Sequence, residues 1–166
     1  SGWVEAWPDG YFPNISNVIE TQADPEWDPN RKHSIPWAIG QTGIAYWPSK
    51  VGGTLDSIDA LFDEKFKGKV TILDEMRDSV GLTMLGMGND PTTGGLDEEN
   101  AAIAKIGSAR DGGQFRKITG NGYTEDLQLG DTWLCMAWSG DIASLKADNP
   151  DLADKIEFYI PTEGGM

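Results

Sequence analysis

The sequence predicts an α/β fold in which a mixed, mainly parallel sheet carries helices on both faces. Short apolar runs rich in β-branched residues alternate along the chain with segments whose apolar residues recur at helical spacing. The run 132–138 is apolar at both alternating positions, which is typical of a strand covered on both faces of a sheet. With 166 residues, the chain is long enough to bury one hydrophobic core.

The first part of the chain differs in composition from the rest. It is rich in Pro, Asp, Asn and Trp, and the prolines repeated within 24–30 disfavour both helix and the interior of a sheet. We therefore predict a loop-rich lead-in over 1–33 and a compact α/β domain over 34–166. The domain is expected to begin with extended segments at 34–39 and 42–47.

The middle of the chain contains two predicted helices and a strand. Apolar residues recur at helical spacing over 55–62, where Thr54 is the expected N-cap. A β-branched run at 69–73 predicts a strand. It is followed directly by Asp74, which we expect to cap a buried helix that includes Met76 among its apolar residues.

The second half continues the alternation of helices and strands. The segment 97–109 has acidic residues in its first turn and is followed by Arg110, so its charges complement a helix dipole. The remaining predicted elements are a helix at 123–129, the strand at 132–138, a helix capped by Ser139 and running to Lys146, and a last strand at 155–160.

The charge and the rare residue types exclude several classes of function. The formal charge of −14 repels phosphate backbones, so nucleic acid is not an expected partner, whereas cations are attracted. A single cysteine and a single histidine exclude an internal disulfide and multi-cysteine zinc sites. No nucleophile has a plausible base near it in the sequence. We therefore expect no metal, no cofactor and no catalytic residue.

Two pairs of residues stand where ligands bind in α/β proteins, beyond the carboxyl ends of strands. Glu75 and Asp78 follow the strand at 69–73 and, three residues apart, share one face of the first helical turn. Trp138 ends the next apolar strand, and Asp141 lies in the opening turn of the helix after it. A tryptophan face attracts a cation by about 0.5 to 2 kcal/mol, and an adjacent carboxylate adds charge-assisted hydrogen bonds to an ammonium group.

Both pairs also have a purely structural interpretation. Acidic residues are common in the first turn of a helix because the helix dipole favours negative charge there. Trp138 would then be a core residue beside a helix-starting acid. From these residues alone, an ammonium site and a structural role both remain open.

Several short motifs follow one another along the chain in a defined order. They are Phe66-Lys67-Gly68-Lys69-Val70-Thr71-Ile72-Leu73-Asp74-Glu75-Met76-Arg77-Asp78, Asn89-Asp90-Pro91, the stretch from Tyr123 to Asp131, Met136-Ala137-Trp138-Ser139-Gly140-Asp141 and Ile160-Pro161-Thr162-Glu163-Gly164-Gly165. In their order and spacing these motifs resemble the periplasmic spermidine/putrescine-binding proteins. The resemblance covers about residues 34 to 166.

That resemblance implies a type II periplasmic-binding-protein fold, in which two α/β lobes close around the ligand, and delivery of the ligand to the permease of an ABC importer. It also implies that Glu75, Asp78, Trp138 and Asp141 line the second lobe's side of the cleft. Because members of that family are longer than this chain, it implies a fragment that holds mainly the second lobe and part of the ligand site. The expected location is the periplasm, or the cell exterior with a lipoprotein anchor.

The expected function is therefore the binding of a small cationic solute, with a polyamine such as spermidine or putrescine as the leading candidate. A relative that binds an amino acid, a sugar or a metal chelate is an alternative, because a fold does not determine its ligand. A more remote alternative is an acidic hydrolase in which Glu75 and Asp141 act as acid and base.

Overall fold

In a computed structural model, which describes residues 2–166, the chain divides into two compact units. The division falls after Ile39, whereas the sequence suggested one after residue 33. In the smaller unit, helix α1 spans Glu20–Ala23 and short 3-10 helices span Ile15–Asn17 and Pro29–Arg31. The segment 34–39, predicted to be extended, forms no strand.

The larger unit, Gly40–Met166, is an α/β domain. Its strands are β1 (Thr42–Tyr46), β2 (Val70–Leu73), β3 (Phe115–Thr119), β4 (Leu134–Trp138) and β5 (Glu157–Tyr159). Its α-helices are α2 (Pro48–Val51), α3 (Met76–Gly86), α4 (Leu96–Asp111), α5 (Tyr123–Gln128), α6 (Ser139–Asp148) and α7 (Pro150–Ala153). Two 3-10 helices, Ile58–Phe62 and Glu64–Phe66, lie between α2 and β2.

The five strands form one mixed sheet in the order β3-β2-β4-β1-β5. Strand β2 pairs in parallel with β3 and β4, while β1 is antiparallel to both β4 and β5. Four strands therefore run in one direction and only β1 opposes them. The prediction of a mixed, mainly parallel sheet is confirmed.

Helices cover both faces of this sheet. The connection from β2 to β3 moves towards one edge, and the connection from β3 to β4 moves back in the other direction. Because crossovers between parallel strands are right-handed, α3 and α4 lie on one face and α5 on the other. The central strands are accordingly buried on both sides: every residue of β1 and β2, and β4 from Leu134 to Ala137, is buried.

Several predicted helix starts are wrong in detail. The residues over 55–62 form only a short 3-10 helix, whose N-cap is Ser57 and not Thr54. Helix α3 is capped by Glu75 and not by Asp74. The backbone N–H of Asp74 donates to the Thr119 carbonyl, so Asp74 still continues the pairing of β2 with β3. Met76, which begins α3, is 67% exposed and not buried.

The start of α6 differs for a similar reason. Its N-cap is Trp138, and Ser139 is the first helical residue. The Ser139 hydroxyl does not cap the helix because it accepts the backbone N–H of Gln41, 3.1 Å away. This bond ties the first turn of α6 to the residue just before β1.

Candidate functional site

The candidate site lies at the end of the sheet where the carboxyl ends of the three parallel strands β2, β3 and β4 meet. In open α/β sheets this end is where ligands bind. Each of β2, β3 and β4 is followed there by polar or aromatic side chains: Glu75 and Asp78 after β2, Asn121 and Tyr123 after β3, and Trp138 and Asp141 at the end of β4.

Glu75 and Asp78 are positioned by the start of α3. Glu75 has an extended backbone, and its Oε2 accepts the N–H of Asp78 at 3.1 Å, which satisfies one of the unpaired donors of the first turn. Asp78 lies in that turn with its own carboxylate turned to other partners. Both side chains are half-buried.

Asp78 holds the indole of Trp138. The Trp138 Nε1–H donates to Asp78 Oδ2 at 2.7 Å, a charge-assisted hydrogen bond across 60 residues of sequence. The Trp138 ring also packs edge to face against the ring of Tyr123, with centroids 6.1 Å apart and planes at 70°. Two contacts therefore fix the orientation of the half-buried indole.

Asp141 is held from the other direction. Its Oδ2 accepts hydrogen bonds from Asn121 Nδ2 at 3.0 Å and from the Tyr123 hydroxyl at 2.8 Å. The Tyr123 oxygen in turn accepts the backbone N–H of Trp138 at 3.0 Å. A continuous chain of hydrogen bonds thus runs from Asp78 through Trp138 and Tyr123 to Asp141.

The three carboxylates share a pattern in which one oxygen is used by the protein and the other is not. Among residues 2–166, no hydrogen-bond donor contacts Glu75 Oε1, Asp78 Oδ1 or Asp141 Oδ1. No salt bridge within residues 2–166 includes Glu75, Asp78 or Asp141. This end of the sheet therefore carries uncompensated negative charge beside an aromatic ring, an arrangement suited to a cation that can donate several N–H bonds.

The structure brings the four predicted residues to the same end of the sheet. Asp78 and Trp138 are hydrogen-bonded directly, whereas Asp141 is connected to Trp138 through Tyr123. Glu75 joins through the backbone of Asp78. Sequence reasoning missed Asn121 and Tyr123, which follow β3, a strand that was not predicted. Tyr123 lies in one of the motifs that carried the family resemblance, and this was the only signal that pointed towards it.

Within residues 2–166, no cluster of three or more His, Cys, Asp or Glu side chains is arranged to hold a metal ion. No helix within these residues is both long and apolar enough to cross a bilayer.

Solved structures with the same arrangement of strands and helices identify the fold as one lobe of a periplasmic binding protein. The structure of the spermidine/putrescine ABC transporter substrate-binding protein PotD from Streptococcus pneumoniae superposes with a TM-score of 0.78 at 18% identity. That match covers 96% of this chain and 48% of the PotD chain.

Sequence comparison then places the chain in a family. Residues 6–166 match the family described as bacterial extracellular solute-binding protein. The putrescine/cadaverine-binding protein of Pseudomonas aeruginosa is 25% identical over 162 residues, which are 92% of this chain and 45% of the relative. The putrescine-binding periplasmic protein PotF of Escherichia coli is 28% identical over 152 residues, 84% of this chain and 41% of the relative.

The chain belongs to the family of bacterial extracellular solute-binding proteins. The resemblance drawn from its motifs is thereby confirmed. This is a family of binding proteins and not of enzymes. The chain spans less than half the length of the curated relatives described above.

Proposed function

We propose that this chain forms one lobe of a cleft that binds a linear polyamine, such as putrescine or spermidine, for delivery to the permease of an ABC importer. The observation that carries the proposal is the hydrogen-bonded series from Asp78 through Trp138 and Tyr123 to Asp141. Each of its two carboxylates keeps one oxygen that no donor within residues 2–166 contacts. The names of the relatives, which refer to putrescine, cadaverine and spermidine, support the same ligand class.

The chemistry of a polyamine matches these groups one by one. An ammonium group carries three N–H donors and a positive charge, so it can satisfy the unused oxygens of Asp78 and Asp141, and each such bond contributes about 1.5 to 3 kcal/mol. The methylene chain packs along the Trp138 ring. A cationic end over the ring face adds about 0.5 to 2 kcal/mol, the larger value applying when water is excluded.

Water exclusion requires a second lobe. The chain covers 45% of a relative that binds putrescine and cadaverine, and 48% of the PotD structure. In our proposal, residues 34–166 act as the second lobe of a longer protein and residues 1–33 lead in from the first. The two lobes close around the ligand in the periplasm, or outside a cell membrane to which the protein is anchored. This chain alone supplies only part of the contacts and is expected to bind weakly.

Isothermal titration calorimetry on the full-length protein tests the proposal. Putrescine and spermidine should bind, whereas glucose and glutamate should give no heat. Asp141→Asn and Trp138→Ala should each weaken polyamine binding by about tenfold or more, because each removes a contact with the cation. Asp151→Asn is the matched control: it removes the same charge from an exposed helix start in α7 and should leave the affinity unchanged.

Two results would contradict the proposal. One is tight binding of a neutral sugar or a zwitterionic amino acid together with no heat from any polyamine. The other is an equal loss of affinity in Asp141→Asn and Asp151→Asn, which would assign the effect to net charge and not to the candidate site.

A further inference from the structure

Tyr123 is fully buried, yet its hydroxyl connects two parts of the candidate site. The residue begins α5, and its ring lies in the core of the larger unit with none of its surface exposed. Its hydroxyl reaches the backbone of Trp138, at the end of β4, and the carboxylate of Asp141, in the first turn of α6.

The directions of these two hydrogen bonds are fixed by chemistry. A backbone N–H can only donate, so the Tyr123 oxygen must accept from Trp138. The single hydroxyl proton is then left for Asp141, which accepts it at Oδ2. Burial, reinforced by the neighbouring Asp141 carboxylate, raises the pKa of Tyr123, so the phenol keeps this proton at all physiological pH values.

The consequence for Asp141 is a fixed carboxylate. Oδ2 receives hydrogen bonds from both Tyr123 and Asn121, so rotation of the carboxylate would break two bonds at once. Oδ1 is then the oxygen that remains for a ligand. A group held in its bound orientation before the ligand arrives loses less conformational freedom on binding, and this increases affinity.

We propose that Tyr123 is a positioning residue of the cation site: its buried hydroxyl locks Asp141 so that Oδ1 faces the ammonium group. This inference rests on the proposed function, since it requires Asp141 to contact the ligand. Tyr123 itself touches no ligand and acts through Asp141. Asn121 assists as a second, more exposed donor to the same oxygen.

A double-mutant cycle on the full-length protein tests this role, with putrescine binding measured by calorimetry. Tyr123→Phe keeps the ring packing and removes only the hydroxyl, and it should weaken binding by about threefold to tenfold. In an Asp141→Asn background, where no carboxylate remains to be held, the same change should have little further effect. Tyr159→Phe is the matched control, because its hydroxyl donates to the Ser57 carbonyl and has no contact with the site. It should leave the affinity unchanged.

The outcomes separate this inference from the proposed function. If Asp141→Asn leaves putrescine binding intact, the proposed function itself fails. If Asp141→Asn weakens binding but Tyr123→Phe does not, or weakens it by the same factor in both backgrounds, only the positioning role is overturned. Should Tyr123→Phe not fold, Asn121→Ala replaces it. This exposed substitution removes the other donor to Oδ2, and its effect must likewise disappear in the Asp141→Asn background.

Discussion

The two units of the chain bury different kinds of side chain. In residues 40–166 the buried set is mainly apolar, with Ile44, Leu134 and Met136 among the fully buried side chains of the sheet. Within residues 2–39 the buried side chains are instead two charged ones, Asp28 and Arg31. The larger unit therefore has a hydrophobic core of its own, whereas the buried positions of residues 2–39 are charged and are held by polar contacts.

The polar centre of the smaller unit is formed by Arg31 and its neighbours. The Arg31 Nε–H donates to the Gln22 carbonyl at 2.6 Å, and its guanidinium lies 4.9 Å from the centre of the Trp27 ring. Asp28 accepts the Ser34 hydroxyl at 2.7 Å. Such contacts fix a local geometry but bury little apolar area, which is the main source of folding free energy.

The comparison predicts that the largest loss of stability comes from a cavity in the larger unit. Leu134→Ala, in the central strand β4, should lower the free energy of unfolding by about 2 to 5 kcal/mol, because it removes fully buried methyl groups. Chemical denaturation measures the change. Leu129→Ala is the control: Leu129 is 70% exposed, and the same substitution should cost less than about 0.5 kcal/mol. Equal costs at the two sites would contradict the assignment of the core.

A smaller and local effect is expected in the smaller unit. Arg31→Ala removes the hydrogen bonds to Gln22 and the stacking on Trp27, so the amides around residues 22–34 should exchange faster by the equivalent of about 1.5 to 3 kcal/mol. Hydrogen exchange with mass spectrometry reads this segment directly. Lys32→Ala, at an exposed neighbouring position, should leave the exchange unchanged. Unaltered exchange in Arg31→Ala would show that the polar centre does not organise the segment.

The sequence predicted the buried strands better than the exposed one. Strands β2 and β4 are covered on both faces, so their apolar runs are continuous and easily recognised. Strand β3, one of the two edge strands, was missed because its exposed Arg116 and Lys117 interrupt any apolar pattern. The extended segment predicted at 34–39 has no pairing partner in the structure. Pairing is a property of the fold and is invisible in a short sequence window.

The candidate site likewise combines residues that can be recognised from the neighbouring sequence with contacts between residues far apart in the chain. Glu75, Asp78, Trp138 and Asp141 could be proposed from sequence because each stands at the end of a strand, which is a local feature. The role of Tyr123 could not, because its hydroxyl bonds residues 15 and 18 positions further along the chain. Which strand ends become neighbours depends on the sheet order, and β4 lies beside β2 and not beside β3.

The smallest predicted effect concerns the titration of Asp28. Hydrogen bonds from the Ser34 hydroxyl and from His33 lower the pKa of Asp28 from its ordinary value of 3.8 to about 2, although burial opposes the shift. A carboxyl whose pKa is lowered in the folded state stabilises that state fully above pH 3.8, and this contribution is lost as the pH falls through about 2. Near neutral pH this contribution is present but does not change with pH, because the group is charged in both the folded and the unfolded state. The pKa itself is therefore the quantity to measure.

The Asp28 pKa can be followed by the carbon-13 shift of its carboxyl group during an acid titration. Ser34→Ala removes the largest cause of the lowering and should raise the pKa of Asp28 back towards 3.8. Ser16→Ala changes an exposed serine of the same unit and should leave it unchanged. If Ser34→Ala had no effect, the Ser34 hydroxyl would not be a significant partner of Asp28. The contrast between a charge-organised unit and an apolar one would then depend on Arg31 alone.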